Sequence, residues 1–565
     1  MVRSFVNILI GGKAGEGVKV TGLILAKTLS RLGYSTFSYQ EYPSLIRGGH
    51  NSFQIHASLD KAFSQLSKVD LLLAYDQATL KIHQKELNGD SLIIYDPDDG
   101  KPQAGFVGKY ESIPMNKIAL KNGNPLMANS VALGAALQLI GLSLGSLKNI
   151  LKESFSNKGD EVVLANQRSS QEGFDYAKRN YAKNSFILSQ PITKNKRMVI
   201  TGNEALALGA LAGGLKFYTS YPMTPATSIL HYLASKAEKA NIIVKQPEDE
   251  IGAVNQAVGA SFVGVRTMTA TSGGGFCLMT EGLGLSGITE IPIVIVNSMR
   301  PGPASGMPTL SGQGDLQFMI HAAQDNFPRI VLAPGDAEEC FKLAKKSFYL
   351  AEKFQVPVII LMDKNISESY YSNPPFKSEH QNARLSFTKP KKGFLRYKLT
   401  ENGVSPRCLV GEKYGTHLCN SYEHDQYGLA TDDAEQRTRM MDKRSRKFNV
   451  IKHEMPLPKI YGNPQAKKSL ISWGSNKGPI LEALKNLPQI NFLHLSGLWP
   501  FPAQSVKNFI ENSQKVFSLE CNSAGELACL IREQTGIKIE KMLKYDGRPF
   551  YPEKIVKKFN HRKRE

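Results

Sequence analysis

Three consecutive acids, Glu248, Asp249 and Glu250, close a strand-like stretch and open the small-residue run EIGAVNQAVGA. An acid at a helix start ordinarily caps the helix or complements its dipole. A buried one facing a ligand nitrogen can instead hydrogen-bond it and move a proton there. Gly252, Ala253, Ala257, Gly259 and Ala260 would let that helix approach a flat ligand closely, or simply pack tightly on another helix. Upstream, in FYTSYPMTPATSIL, Thr224 stands between Pro222 and Pro225. The two prolines hold the chain extended up to the point where a helix can begin. Arg300 ends the apolar stretch IPIVIVNSM and precedes a Pro/Gly turn. A guanidinium so placed is either a planar fork for a carboxylate or one side of a structural ion pair.

A second constellation lies at the N-terminus. SFVNILI reads as a buried strand, GGKAGEG as a turn, VKVTGLILAKTLSRLGY as a helix and STFSYQ as another strand. Gly11, Gly12, Gly15 and Gly17 allow close approach of a ligand to the backbone, and the following helix offers free N–H groups to a phosphate. The pattern is not G-x-G-x-x-G, because Val20 occupies the third glycine position, nor a Walker loop, because Asn7 stands at its first glycine. Glu41, near the end of the second strand, would suit a dinucleotide ribose, so a nicotinamide-binding domain stays open as an alternative.

These residues need a large scaffold, and 565 residues at 41% hydrophobic content provide three or four domains. The reading is α/β throughout. Residues 1–188 form the first domain and 189–197 a lysine-rich linker. Residues 198–372 form a second α/β domain and 373–463 an extended connection poor in apolar periodicity, and 464–565 return to strand and helix. No apolar run approaches the roughly 20 residues that span a bilayer, which predicts a cytoplasmic protein without membrane contact. The six cysteines include no C-x-x-C pair, so neither a zinc site nor an iron–sulfur cluster is expected on this chain. No G-D-G with a following Asn-Asn holds magnesium and diphosphate; Gly314-Asp315 and Gly335-Asp336 lack the continuation. A net charge of +20 favours anionic ligands or acidic partners. The basic stretches KPKKGFLRYK, RTRMMDKRSRK and HRKRE read as solvated faces rather than as a nucleic-acid site.

Taken in order, these motifs resemble one family. Residues 198–372 are similar to the pyrimidine-binding domain of the alpha subunit of 2-oxoacid:ferredoxin oxidoreductases, thiamine-diphosphate enzymes. Their YPITPS/T motif reads here Tyr221-Pro222-Met223-Thr224-Pro225-Ala226-Thr227. Residues 1–188 resemble the family's Rossmann-like gamma domain through GGKAGEGV and YPSLIRGGHNS, which carries Arg47, Gly48 and Gly49. LTENGVSPR, EHDQYG and RMMDKRSRK resemble the rest of the subunit. WGSNKG, GLWPFP, SLECNSAGELACLIRE and YDGRP resemble a transketolase C-terminal-like domain. Met223, Ala226 and the loop MRPGPASGMPT depart from the family pattern in ways that bear on substrate choice rather than reaction class.

The resemblance implies coenzyme A-dependent oxidative decarboxylation of a 2-oxoacid to acyl-CoA and CO2 with reduction of ferredoxin. The gamma-first layout and the EHD-containing connection favour 2-oxoglutarate. It implies that Glu250 hydrogen-bonds the aminopyrimidine of thiamine diphosphate and favours its imino tautomer. Thr224 would meet the substrate's carboxylate or ketone oxygen, Tyr221 would line the same substrate site, and Arg300 would grip the carboxylate. Gly11, Gly12, Gly15, Gly17 and Arg47 would belong to the coenzyme A site. The cofactor would be shared with a beta subunit that brings magnesium and the iron–sulfur cluster, in a hetero-oligomer of alpha–beta pairs. Two other classes compete: a stand-alone nicotinamide-dependent dehydrogenase and a basic nucleic-acid-binding protein.

Overall fold

The computed structural model describes residues 2–45, 48–100, 102, 105–184, 186–192, 196–377 and 387–560. The chain forms two compact units, one of residues 1–200, 368–376 and 551–565, the other of residues 201–367 and 377–550. The chain thus re-enters its first unit twice, once across the boundary expected at residue 372 and once at residue 551, inside the expected last domain.

In the first unit, strands β1 (Phe5–Lys13), β2 (Ser35–Glu41), β3 (His50–Ser58), β4 (Leu71–Ala74), β5 (Leu92–Tyr95) and β6 (Lys109–Ser112) join one sheet. Its order is β6-β5-β4-β1-β3-β2, extended by Tyr370–Asn373 and Met198–Thr201. Strand β1 is parallel to β4 and antiparallel to β3, and β2 is also antiparallel to β3. Strand β3 therefore lies between the two strands that flank the glycine turn, unlike the parallel neighbours of a nicotinamide domain. The continuous apolar run of β1 follows from burial on both faces. Helix α1 (Val18–Arg31) sets Ile24, Leu25 and Leu29 into a core with Phe53, Ile55, Leu71 and Leu73. Helices α2 (Ala128–Leu139) and α3 (Asp160–Tyr181) cross backbone to backbone, because a Cβ on Gly134 would collide with the Ser170 carbonyl.

The second unit contains strands β7 (Phe217–Thr219), β8 (Ile243–Lys245), β9 (Thr267–Thr271), β10 (Val294–Met299), β11 (Ile330–Leu332) and β12 (Val358–Asp363), in the order β8-β7-β9-β10-β12-β11. These pairings are all parallel. Their carboxyl ends therefore face one edge, where open α/β sheets bind ligands. Helices α4 (Gly202–Ala212), α5 (Thr227–Ala240), α6 (Glu250–Phe262), α7 (Gly273–Thr289), α8 (Leu316–His321) and α9 (Ala337–Phe354) connect the strands. A further sheet of five strands spans residues 459–543.

Inside the segment expected to be an extended connection the chain forms a helix, α10 (Ala434–Ile451), capped by Asp433, whose side chain accepts from Gln436 N. Apolar periodicity is weak there because part of the buried face is cationic: Lys443, Arg444 and Lys447 are almost fully buried. Lys443 and Lys447 both pair with Glu290, the latter at 2.5 Å, and Arg444 pairs with Glu423 at 2.5 Å. Arg396 adds a hydrogen bond to the Glu290 carbonyl at 3.0 Å. Burial alone would raise the Glu290 carboxyl; Lys443, Lys447 and Arg396 overrule it and hold the group well below the usual carboxylate range. Two basic stretches expected to be solvated thus place cations inside the fold. No helix among the described residues is long and apolar enough to cross a membrane.

Candidate active site

Helix α6 begins where the acidic triplet ends. Asp249 is its N-cap, accepting a hydrogen bond from Gly252 N at 2.7 Å, and Glu248 is exposed. With the cap supplied by Asp249, the Glu250 carboxyl has no duty to the helix, yet its residue is only 2% exposed. It lies against the start of α7: a Cβ on Gly275 would collide with both Glu250 Oε1 and Thr271 Oγ1. The Thr271 hydroxyl donates to Glu250 Oε1 at 3.5 Å.

The neighbouring strand ends add polar groups. Asn297, on β10, donates from Nδ2 to Asp315 Oδ2 at 2.9 Å, and the Asp315 carboxylate presses on Gly273, where a Cβ would stand 2.5 Å away. Burial raises the Asp315 pKa, and the Asn297 hydrogen bond only partly offsets it. Asn297 Oδ1 and Ser272 Oγ are buried without a partner among the described residues. Buried polar atoms are ordinarily satisfied, so these two fit a site completed by a bound polar ring. Arg300, one residue past β10, donates from Nη1 to the Thr224 carbonyl at 2.8 Å. That bond ties the Tyr221–Ala226 segment, which precedes α5, to the end of the central strand. Thr224 is half-buried, Tyr221 is 38% exposed, and Thr271 Oγ1 lies 3.8 Å from Met223 Sδ. Burial depresses the Arg300 pKa. Glu250, Thr224, Tyr221 and Arg300 are therefore linked, through Thr271 and Met223, along one sheet edge.

In the first unit, Gly11 and Gly12 end β1, and Gly15 (φ 99°) and Gly17 (φ 77°) take left-handed conformations that the turn into α1 requires. Lys13 N donates to Glu16 Oε2 at 2.6 Å, and Asn129 Nδ2 donates to the Glu16 carbonyl at 3.0 Å. A cavity of about 240 Å3 opens beside the turn, lined by Ala14, Val18, Lys19, Tyr42 and Asn51 among others. His50 Nδ1, Asn51 Oδ1, Tyr75 Oη and Asp76 Oδ2, all near this strand edge, are buried and unpartnered among the described residues. The cavity and these orphaned atoms fit a polar ligand at the turn. Gly48 and Gly49 are seen with positive φ; Arg47 lies outside the described residues.

Sequence reasoning missed Thr271, Gly275, Asn297 and Asp315. The signal for the first two was the Thr/Ser/Gly-rich loop TSGGG itself; Asn297 and Asp315 become neighbours only because the loop after β10 folds back to the strand's end.

Comparison with known proteins gives the family. The model described as pyruvate flavodoxin/ferredoxin oxidoreductase, thiamine diphosphate-binding, matches residues 208–443, and the pyruvate ferredoxin/flavodoxin oxidoreductase model matches 7–176. The chain is 32% identical, over 97% of its length and 96% of the relative's, to the alpha subunit of 2-oxoacid:ferredoxin oxidoreductase 2 from Aeropyrum pernix. It is 28% identical, over 97% and 90%, to the 2-oxoglutarate oxidoreductase subunit KorA of Mycobacterium tuberculosis. It superposes with a TM-score of 0.93 and 31% identity, over 99% of both chains, on the 2-oxoglutarate:ferredoxin oxidoreductase of Magnetococcus marinus, solved with 2-oxoglutarate, coenzyme A and succinyl-CoA bound. The chain belongs to the 2-oxoacid:ferredoxin oxidoreductase family, and the relatives it matches along its whole length are alpha subunits.

Proposed function

We propose that the chain catalyses, with a beta subunit, the coenzyme A-dependent oxidative decarboxylation of a 2-oxoacid, 2-oxoglutarate foremost, to acyl-CoA and CO2 with ferredoxin reduced. The observation that carries this is Glu250: a carboxyl relieved of capping by Asp249 and enclosed by Thr271 and Gly275 at the carboxyl edge of a parallel sheet. Thiamine diphosphate, when bound, supplies the nucleophilic carbon and electron sink that decarboxylation needs. Glu250 would hold the pyrimidine ring by a hydrogen bond and would handle a proton at its own carboxyl. Arg300, held through Nη1 by the Thr224 carbonyl, keeps its other N–H groups for the substrate carboxylate, and Thr224 and Tyr221 complete the wall. The glycine turn of Gly11, Gly12, Gly15 and Gly17, with Arg47, takes the adenosine phosphate end of coenzyme A.

The beta subunit brings magnesium, the diphosphate site and an iron–sulfur cluster. Among the described residues no three His, Cys, Asp or Glu side chains are placed to hold a metal. Ile251 on α6 and Leu278 on α7, both 48% exposed, sit on the helices that bound the Glu250 pocket and offer apolar surface to that partner. All six cysteines are unpaired, which suits the reducing cytoplasm. The test is a panel of 2-oxoacids with coenzyme A and a dye acceptor on the reconstituted alpha–beta complex. Highest kcat/KM with 2-oxoglutarate is expected, and no coenzyme A-dependent turnover of any 2-oxoacid would overturn the reading.

A further inference from the structure

The loop that joins Arg300 to Asp315 is exposed over residues 302–307, whereas Thr309, Ser311 and Gln313 beyond it are buried. Its exposed half closes on itself, Met307 N donating to the Pro301 carbonyl at 2.9 Å. The buried half is held from outside, chiefly at Gln313. A primary amide has two lone pairs and two N–H groups, and Gln313 uses all four. Its Oε1 accepts from Asn476 Nδ2 at 2.7 Å and from Cys521 N at 3.0 Å. Its Nε2 donates to the Trp473 carbonyl at 3.2 Å and to Asp363 Oδ2 at 3.3 Å. The main chain adds two bonds: Gln313 N donates to the Cys521 carbonyl at 2.8 Å, and Asn522 Nδ2 donates to the Gln313 carbonyl at 3.0 Å. Apart from Asp363, which ends β12, these partners stand at or just past the ends of strands Lys468–Trp473 and Lys515–Glu520 of the five-stranded sheet. The seat is shaped for the amide: a Cβ on Gly474 would stand 2.8 Å from Gln313 Nε2.

We propose that Gln313 is a positioning residue for the 2-oxoacid site: it seats the loop between Arg300 and Asp315 on the five-stranded sheet, so that this sheet fixes where the loop stands beside the Glu250 edge. The proposal rests on the reading of Arg300 as the fork for the substrate carboxylate. One edge of that guanidinium is taken by the Thr224 carbonyl, and the direction of the other depends on the path of the chain that follows. Two residues past Gln313, Asp315 bonds Asn297 and presses on Gly273, so the same seat reaches the wall of the Glu250 pocket. A loop seated before substrate arrives has little freedom left to lose on binding, whereas a released loop must be ordered by the substrate itself.

The test is steady-state kinetics of the reconstituted alpha–beta complex with 2-oxoglutarate, across pH. Gln313→Glu keeps the size and the accepting oxygen but turns a second oxygen toward the Trp473 carbonyl and the Asp363 carboxylate. The charged and titratable groups around it are Asp363, Cys521, Glu520, Lys477, which pairs with Asp336 and Glu339, and the Lys544–Asp546 pair. Of these, among the described residues, Asp363 is the one whose side chain bonds the Gln313 amide. At about pH 8 the variant is expected to raise KM for 2-oxoglutarate about tenfold, with kcat and KM for coenzyme A within about threefold of wild type. Toward about pH 6 the new carboxyl takes a proton, donates it to Asp363 as the amide does, and KM returns toward the wild-type value at that pH. Gln313→Met raises KM alike but shows no recovery. Val506→Ala, in the core of the same domain, lowers the melting temperature without moving KM. Hydrogen exchange of the amides of residues 301–312 in the isolated chain reads the seat without substrate, and is faster in Gln313→Glu than in wild type at about pH 8. Wild-type KM in both Gln313 variants overturns the proposal, as does a KM rise that Val506→Ala matches or one without recovery in Gln313→Glu. No turnover of any 2-oxoacid by the wild-type complex overturns the reading beneath it, and loop exchange then shows separately whether Gln313 seats the loop.

Discussion

Glu250 and Asp249 are neighbours of the same chemistry with opposite surroundings, and the difference decides what substitution does. Asp249 is exposed and bonded to Gly252 N, so its removal costs a cap, about 1 kcal/mol. Glu250 is enclosed by Thr271 and Gly275, so Glu250→Gln keeps shape and volume while removing the carboxyl to which we assign the proton transfer. Turnover of the reconstituted complex is expected to fall by about a hundredfold or more, with assembly intact and Glu248→Gln mild. Exchange of the thiamine C2 proton at the wild-type rate in the Gln variant would sink the assignment. For Arg300, the hydrogen bond to the Thr224 carbonyl fixes one edge of the guanidinium. Lysine cannot both hold that carbonyl and present a fork, so Arg300→Lys raises KM for the 2-oxoacid by about tenfold, with a smaller effect on KM for coenzyme A. Unchanged constants would make Arg300 structural. At this scale the sequence offers Glu250, Thr224 and Arg300 as candidates, and the family resemblance assigns their roles. Asn297 and Asp315 are not among them, because their hydrogen bond depends on the placement of the loop after β10.

At the scale of elements, the start of α8 depends on a residue far away in sequence. Helix α11 (Glu526–Thr535) places Glu526 so that its Oε2 accepts from Gln317 N at 3.0 Å. Asp315, the residue before α8, gives that helix no side-chain cap. Burial foremost, with Asp315 and Glu520 adding like charge, pushes the Glu526 carboxyl up to about 7. A carboxyl raised in the folded state binds its proton more tightly there than in the unfolded chain. Its stabilising contribution is present at low pH and lost as pH rises from the unfolded value, near 4.5, through about 7. Thermal melts are expected to show Glu526→Gln more stable than wild type at pH 8 and close to it at pH 5. A variant equally destabilised at both pH values would show that the carboxylate itself is needed. The helix α10 illustrates why an element was misread: pattern reasoning looks for apolar stripes, and this helix buries lysines on Glu290, a residue more than 140 positions earlier.

For the whole molecule, one recognisable half of a cofactor site has a measurable consequence. On the proposed reading the chain supplies Glu250 and its surroundings for a pyrimidine, and among the described residues no three His, Cys, Asp or Glu side chains are placed to hold a metal. The isolated chain is expected to contain no stoichiometric iron by atomic absorption and to bind thiamine diphosphate with magnesium weaker than micromolar. Tight binding and activity appear when the beta subunit is added. Micromolar binding or stoichiometric iron in the chain alone would overturn the subunit reading. The sequence motifs are local strand, turn and helix signals, whereas the two units that the chain forms are assembled from segments far apart in sequence. That Tyr370–Asn373 extends the N-terminal sheet was not legible, because a strand of four residues carries no address for its partner.

That returning strand also sets a schedule for synthesis. Strand β2 pairs with β3 on one side and with Tyr370–Asn373 on the other. A nascent chain that has emerged only to residue 200 holds β2 with one edge unpaired, a template for adventitious strand pairing. At ribosomal speeds the missing strand follows on the order of 10 s later. Through that interval the unpaired edge of β2 stays open, and slow translation beyond residue 200 lengthens its exposure.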